Sequence, residues 1–280
     1  MSSLPDALLA QTVAVGKRVA LPAIAAFELA PFAGADERRN YFGFLRLSDG
    51  TIGLTYLAMD GVLDDLASVL PGLSLAGRSP LALAERYAGA RGWERALGLA
   101  AINAVGQYVL AGYRSLTPMP DNLDALTVAP GERVGMVGHF GRLVEPLRAR
   151  GVPLTVIELD AALVHEEAGF EITLDATRLE RCERVIITGT TLLNHSLERV
   201  LAHCTEAREI HLLGPSASCL PDLLFEAGIT RVGGFRVTEP RRFEARWRGG
   251  ERWHDGGLRY VLSRGSYPGL GALLDTMPSS

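Results

Sequence analysis

Lysine is almost absent from this sequence, and its scarcity disfavours two kinds of chemistry. Lys17 is the single lysine among 28 lysine and arginine residues. No GKS or GKT follows a glycine-rich loop, so the phosphate-binding signature of P-loop nucleotide hydrolases is missing. Schiff-base catalysis is disfavoured as well, because it requires a lysine amine in a reactive site.

Cysteine is also scarce. The chain has three, Cys182, Cys204 and Cys219, at wide spacings and without a CxxC pair. An odd and scattered set of this kind indicates a reducing compartment and argues against a structural zinc knuckle.

The sequence lacks a long hydrophobic run and a strong net charge. The N-terminus has no positively charged start of a signal peptide, and Lys17 and Arg18 interrupt its apolar stretch. Residues 97–111 are too short to span a bilayer and contain Asn103 and Gln107. A net charge of −4 offers no basic surface for nucleic acid or anionic lipid. We therefore expect a cytoplasmic protein that contacts neither membranes nor nucleic acids.

The first half of the chain predicts a small α+β unit. Apolar residues at helical spacing predict a helix over residues 4–27 that ends near Pro22. The β-rich stretches YFGFLRL and TIGLTYLA flank Ser48-Asp49-Gly50 and predict a hairpin. Further helices are predicted over residues 62–70, 79–89 and 93–112.

The second half alternates strands and helices. A break rich in proline and acidic residues at 116–131 precedes it, so we predict domains at residues 1–120 and 121–280. The stretches RVGMVG, PLTVIEL, RVIITG and EIHLLG predict strands with helices between them. This alternation predicts a Rossmann-like parallel sheet with right-handed crossovers. Residues 240–257 are predicted to be a loop or an edge hairpin.

Glycines and an acid follow the first two of these strands. Gly135, Gly138 and Gly141 are spaced GxxGxxG, which differs from the dinucleotide signature GxGxxG. Glycines there either bring backbone N–H groups close to an anion or allow close packing of helix on strand. Glu158 follows Gly138 by twenty residues, where dinucleotide folds place a ribose-binding acid, although a solvated acid is equally compatible.

Hydroxyl and amide groups follow the next two strands. Thr190, Thr191 and Asn194 suit a carboxylate or hydroxylated ligand, and the same residues also suit helix capping. Ser216 follows Gly214 and Pro215, but no GxSxG surrounds it, so we predict contact with a ligand rather than a nucleophile.

Two histidines and one asparagine complete the candidate residues. His139 and His195 both follow strands and are candidate metal ligands, with Glu158 or Cys219 as further ligands, although no fixed motif such as HExxH is present. Asn103 lies in a helix made otherwise of apolar residues. It points either into a cleft or to a neighbouring turn.

Four stretches resemble the heavy-metal-chelation family, whose function is poorly defined. They are VGHFGRLVEPLRARG, TVIELD, VIITGTTLLNHSLERVL and HLLGPSASCLPDLLFEAGITRVGGFRVTEP. The hairpin and the AAINAV helix are similar to the domain that precedes them in that family. The resemblance implies a domain like the N-terminal domain of enolase, joined to a Rossmann-like domain, with the site in the cleft between them.

The resemblance also assigns positions to the site. Those that match the family pattern are Asn103, Gly138, Glu158, Thr190, Thr191, Asn194, Gly214, Pro215 and Ser216. His139, His195 and Cys219 fall outside the pattern.

We therefore predict an α/β protein that binds a small polar ligand in an interdomain cleft, with a divalent or heavy metal ion or a metal complex among the candidates. A second possible function is that of an enzyme dependent on a nucleotide cofactor. The spacing of Gly138 and Glu158 favours this function, whereas the missing GxGxxG and the missing catalytic dyad oppose it. A non-catalytic sensor or carrier stays open as well, as does homo-oligomerisation.

Overall fold

The computed structural model describes residues 2–31, 41–59, 61–113, 115–119 and 128–277. The first part contains a three-stranded antiparallel sheet in the order β1-β2-β3. Its strands are β1 (Ile24–Leu29), β2 (Phe42–Leu47) and β3 (Ile52–Tyr56), and its helices are α1 (Leu4–Gly16), α2 (Val62–Val69), α3 (Pro80–Ala84) and α4 (Gly92–Leu110).

The prediction of one long N-terminal helix is wrong beyond residue 16, where helix α1 ends. Helix α1 begins after Ser3, whose hydroxyl accepts from the Asp6 N–H, and ends at Gly16. Residues 24–29 form strand β1 instead, because pairing with β2 buries Ile24 and Phe27. Tertiary pairing thus overrides the local helical pattern.

Helix α4 is buried on nearly every side. It packs against β3, and its alanine and glycine residues allow backbone to approach backbone. A helix that is apolar all round belongs in the interior of a fold. No helix within the described ranges is both long enough and apolar enough to cross a membrane.

The second sheet has nine strands in the described residues, in the order β4-β12-β11-β10-β9-β5-β6-β8-β7. Six neighbouring strands, from β8 to β11, are parallel. The strands are β4 (Thr117–Pro118), β5 (Val134–Val137), β6 (Leu154–Ile157), β7 (His165–Glu167), β8 (Phe170–Thr173), β9 (Arg184–Thr188), β10 (Glu209–Leu213), β11 (Arg231–Val237) and β12 (Gly257–Ser263). The helices are α5 (Gly141–Ala149), α6 (Thr190–Leu193), α7 (Leu197–Leu201), α8 (Asp222–Glu226), α9 (Pro240–Arg248) and α10 (Leu270–Asp275).

The strand order reverses between β5 and β9. From β5 the chain proceeds outward to β6 and β8, and then it returns to β9, β10 and β11 on the other side. This is the doubly wound arrangement, in which ligands bind outside the carboxyl ends of the strands at the reversal point. The α/β class with a large, mostly parallel sheet is therefore confirmed.

The prediction of a loop or an edge hairpin over residues 240–257 is wrong for the first part of this range. Residues 240–248 form helix α9, because Phe243 and Trp247, four residues apart, pack edge-on against Phe44 of β2. The Trp247 indole N–H also donates to the carbonyl oxygen of Leu29 at 3.2 Å. The Phe243 ring also lies 6.5 Å from that of Phe235 in β11. Helix α9 therefore contacts both sheets.

The division into domains at residues 120 and 121 stays a prediction, since residues 120–127 lie outside the described ranges. Strands β2 and β5 belong to different sheets. Strand β4, at Thr117–Pro118, already pairs with β12 of the second sheet.

His211 in β10 predicts a pH dependence of stability. Burial, followed by nearby Arg231, lowers the pKa of His211 from 6.5 to about 4. The folded protein therefore keeps this imidazole neutral at pH values where the unfolded chain protonates it. Its stabilising contribution is complete above pH 6.5, and we expect it to fall by up to about 1.4 kcal/mol per pH unit as the pH drops toward 4.

Urea unfolding of wild type and His211→Gln between pH 4 and 7 tests this. The variant should show a smaller slope of unfolding free energy against pH, whatever its absolute stability. His165→Gln, at an exposed histidine, is the control. Equal slopes in wild type and His211→Gln would contradict the assignment.

Candidate functional site

A cavity of about 400 Å³ lies at the carboxyl ends of the parallel strands, where the strand order reverses. Loops after β5, β6, β9 and β10 form one side, and the first sheet forms the other. The lining residues are Phe42, Tyr56, Met59, Gly138, His139, Phe140, Glu158, Leu159, Thr188, Gly189, Thr190, Leu213, Gly214, Pro215 and Ser216.

Two glycines shape the loops around this cavity. Gly138 has φ +83°, and a Cβ atom there would lie 3.0 Å from Thr188 Cγ2 of the neighbouring strand end. Gly214 has φ +131°, and its N–H donates to the carbonyl oxygen of Gly233 at 2.9 Å. Residues other than glycine rarely adopt such φ values, so the two positions depend on glycine.

Glu158 connects the ends of β5 and β6. Its Oε1 accepts from the His139 N–H at 2.5 Å, and its Oε2 accepts from the Leu159 N–H at 3.2 Å. Each oxygen has a second lone pair that a ligand can use. Burial, Tyr41 and then Glu158 raise the pKa of Tyr56, so its phenol is held in the neutral form.

Threonines line the cavity at the end of β9. Thr190 Oγ1 donates to Thr188 Oγ1 at 3.2 Å, and both side chains border the cavity. Thr191 and Asn194 do not line it. The Thr191 hydroxyl donates to the carbonyl oxygen of Thr188 at 2.7 Å, and Asn194 Oδ1 accepts from the Ser196 N–H and hydroxyl. These two residues stabilise the turn around α6.

Ser216 and Asn103 join the first sheet to the loop after β10. The Tyr56 N–H donates to Ser216 Oγ at 3.0 Å. Asn103 lies behind the cavity wall, fully buried, and its Nδ2 donates to the carbonyl oxygens of Leu54 at 2.8 Å and Ser216 at 2.9 Å. Asn103 therefore positions the wall of the cavity instead of lining it.

The structure does not bring His139 and His195 together. His139 lines the large cavity, whereas His195 lies beyond α6 beside a separate, very small cavity, with its ring 4.7 Å from that of Tyr87. Helix α6 separates His195 from the end of β9, and His195 itself has a φ of +56°. Cys219 does not line the large cavity either, and it is buried where Gly106 of α4 approaches its backbone.

Sequence reasoning missed the aromatic side of the cavity. Phe42, Tyr56 and Met59 come from β2, β3 and the segment after β3. The Phe42 and Tyr56 rings meet edge to face at 5.3 Å. The position of Tyr56 at the end of a predicted strand could have indicated that its side chain lines the cavity.

The strand order defines a Rossmann-like architecture with an antiparallel sheet covering its reversal point. Residues 121–256 match the DUF364 family model, described as "Putative heavy-metal chelation", so this part of the chain is similar to that family. The family resemblance inferred from the sequence is thus confirmed.

The similar proteins are themselves uncharacterised. A protein of Methanocaldococcus jannaschii is 31% identical over 153 residues, which span 52% of this chain and 56% of the relative, so the match covers about half of each. Two crystal structures of DUF364 proteins of unknown function have similar folds. The one from Pyrococcus horikoshii has a TM-score of 0.68 at 18% identity and covers 93% of this chain and 99% of its own. The one from Desulfitobacterium hafniense has a TM-score of 0.66 at 21% identity and covers 92% and 99%. At these identities, the likeness shows the fold alone.

The side chains in the cavity supply only part of a metal coordination sphere. Across the described ranges, no three His, Cys, Asp or Glu side chains converge closely enough to hold one ion. The cavity itself contributes one carboxylate, Glu158, one imidazole, His139, and the neutral phenol of Tyr56. A tightly held bare ion usually has four or more ligands, so this cavity does not form a closed site for one.

Proposed function

We propose that the cavity binds a small polar organic molecule that brings a metal ion with it. The incomplete set of protein donors is the observation that carries this proposal. A chelating molecule fills most coordination positions of its own metal, and Glu158 and His139, which both line the cavity, would supply the remainder. The metal is cargo in this proposal and not a resident cofactor.

The shape of the cavity favours a molecule with a flat apolar part. Phe42, Tyr56 and Phe140 contribute aromatic surface, while the hydroxyls of Thr188 and Thr190 offer hydrogen bonds. The volume of about 400 Å³ lies within the range of roughly 300 to 1,000 Å³ that is typical of small-molecule sites. An aromatic chelator fits both the apolar and the polar side.

A nucleotide-cofactor enzyme is the second candidate, and the position of Glu158 at the end of β6 favours it. The glycine spacing GxxGxxG after β5 opposes it, because dinucleotide folds place GxGxxG there. A native mass spectrum of the untreated protein distinguishes the candidates. A retained mass containing a metal and an organic molecule supports our proposal, and a retained nucleotide supports the enzyme.

Replacing Glu158 tests the cavity directly. We expect Glu158→Gln to weaken binding of the nickel, copper or zinc complex of bipyridine by about tenfold or more, because a charge-assisted contact to a cationic complex is lost. Calorimetry should also show that wild type binds these complexes more tightly than the free metal salts. Bipyridine is suitable because it is aromatic and leaves coordination positions open.

Two variants control this experiment. Glu206→Gln removes the same charge at an exposed site, and His195→Ala removes a histidine outside the cavity, so neither should change the affinity. Equal affinity for complexes and free salts, together with normal binding by Glu158→Gln, would refute the proposal.

A further inference from the structure

A second cavity, of about 260 Å³, lies between the start of β1, the segment 72–79 and α3. It shares no residue with the cavity at the strand ends. Its polar side chains are two arginines, Arg78 and Arg86, and two serines, Ser74 and Ser79, and its lining contains no carboxylate. Two positively charged side chains therefore border this cavity in a chain of net charge −4.

Backbone hydrogen bonds to β1 fix the main chain at Arg78, whose exposed side chain borders this cavity. The Ile24 N–H donates to the carbonyl oxygen of Arg78 at 2.8 Å, and the Gly77 N–H donates to the carbonyl oxygen of Ile24 at 2.8 Å. Within the ranges that the structure describes, the Arg78 guanidinium has no hydrogen bond or ion pair. Its five N–H donors are therefore free to bind a ligand.

Arg86 is oriented by its neighbours. Its guanidinium lies over the Trp93 ring, 5.4 Å from the centroid, and its Nη1 is 3.6 Å from Glu94 Oε1. These contacts reduce the freedom that the side chain loses when it binds a ligand. Ser79 Oγ accepts from the Leu81 N–H at 3.2 Å, so its hydroxyl hydrogen remains free to donate.

We propose that this second cavity binds a small multivalent oxyanion, a phosphate ester or a polycarboxylate. Arginine presents paired N–H groups that match phosphate and carboxylate oxygens, and two arginines on one cavity suit a multiply charged anion. The volume lies below the range of roughly 300 to 1,000 Å³ for drug-sized ligands, which favours a small anion.

Calorimetry of the full chain with inorganic phosphate, pyrophosphate and citrate tests the site. We expect one of these anions to bind more tightly than about 1 mM at low salt, and to bind more weakly as ionic strength rises. Whichever of phosphate and citrate binds with the higher affinity identifies the class of ligand, a phosphate ester or a polycarboxylate. Arg78→Gln should weaken binding by about tenfold or more, because it removes a charged hydrogen-bond donor from an exposed position where folding does not depend on it.

Two further variants are measured in the same experiment, Arg86→Lys as a test of the arginine geometry and Arg150→Gln as a control. Arg86→Lys keeps the charge but removes the paired N–H groups, so we expect weaker binding from a folded protein. Arg150→Gln removes one exposed arginine at the end of α5 and should bind like wild type. Absence of binding by all three anions overturns the proposal, as does equal weakening in Arg150→Gln and Arg78→Gln.

Discussion

Replacing Gly53 with alanine is expected to destabilise the protein by more than about 4 kcal/mol. A Cβ atom at this position in β3 would lie 2.2 Å from the carbonyl oxygen of Ala100 and 2.3 Å from the backbone nitrogen of Ala104. Both clashing atoms belong to the backbone of α4, so no side-chain rotation relieves the contact. Helix α4 would have to move away from the sheet, and close-packed interiors resist such shifts.

Urea unfolding of Gly53→Ala, with Gly112→Ala as the matched control, measures this effect. A Cβ at position 112 meets nothing within 4 Å, and its φ lies outside the left-handed region. The control should therefore stay within about 0.5 kcal/mol of wild type. An unfolding free energy for Gly53→Ala within about 1 kcal/mol of wild type would show that α4 and β3 separate easily.

Gly53 also matters to the cavity, because β3 and α4 support one of its walls. Tyr56 ends β3, three residues after Gly53, and its N–H donates to Ser216 Oγ. Asn103 lies on α4 between Ala100 and Ala104, the two residues that Gly53 approaches. Close approach of strand and helix thus brings the first half of the chain into hydrogen-bond contact with the loop after β10.

The second half of the fold was predictable because its local signals agree with its tertiary structure. Strands β5, β6, β9 and β10 are short apolar runs, each followed by glycine or polar residues. Strand β1 was not predictable in the same way, since its pairing with β2 determines its conformation. The sequence analysis missed helix α9 because arginines and glycines dominate residues 240–257, so the helical spacing of Phe243 and Trp247 is a weak local signal.

The candidate site shows the same distinction. Parallel strands end at one edge of a sheet, so the sequence could anticipate that Gly138, Glu158, Thr190 and Ser216 would meet at one cavity. It could not reveal what covers that edge, because the position of the first sheet depends on contacts distant in sequence. His195 shows the limit of reasoning from strand ends, since helix α6 intervenes and His195 borders a different cavity.

Replacing Asn103 with leucine is expected to destabilise the protein by about 3 kcal/mol. The substitution keeps the approximate volume but removes both donors, so the buried carbonyl oxygens of Leu54 and Ser216 lose their partner. An unsatisfied buried polar group costs about 1 to 3 kcal/mol. The Asn103 Oδ1 atom is itself buried without a hydrogen-bond partner among the described residues, so the two donors account for the polar role of this residue.

Asn103→Asp and Asn194→Ala show whether the donors of Asn103 matter. Asn103→Asp keeps the shape and removes the donors, so it should unfold at least as easily as the leucine variant. Asn194→Ala loses only the local contacts to Ser196 and should cost about 1 kcal/mol. Because the bond to Ser216 positions the loop beside the cavity, Asn103→Leu should also bind the bipyridine complexes more weakly under conditions where it remains folded. Wild-type stability in Asn103→Asp would show that this amide is not what holds the first sheet against the loop after β10.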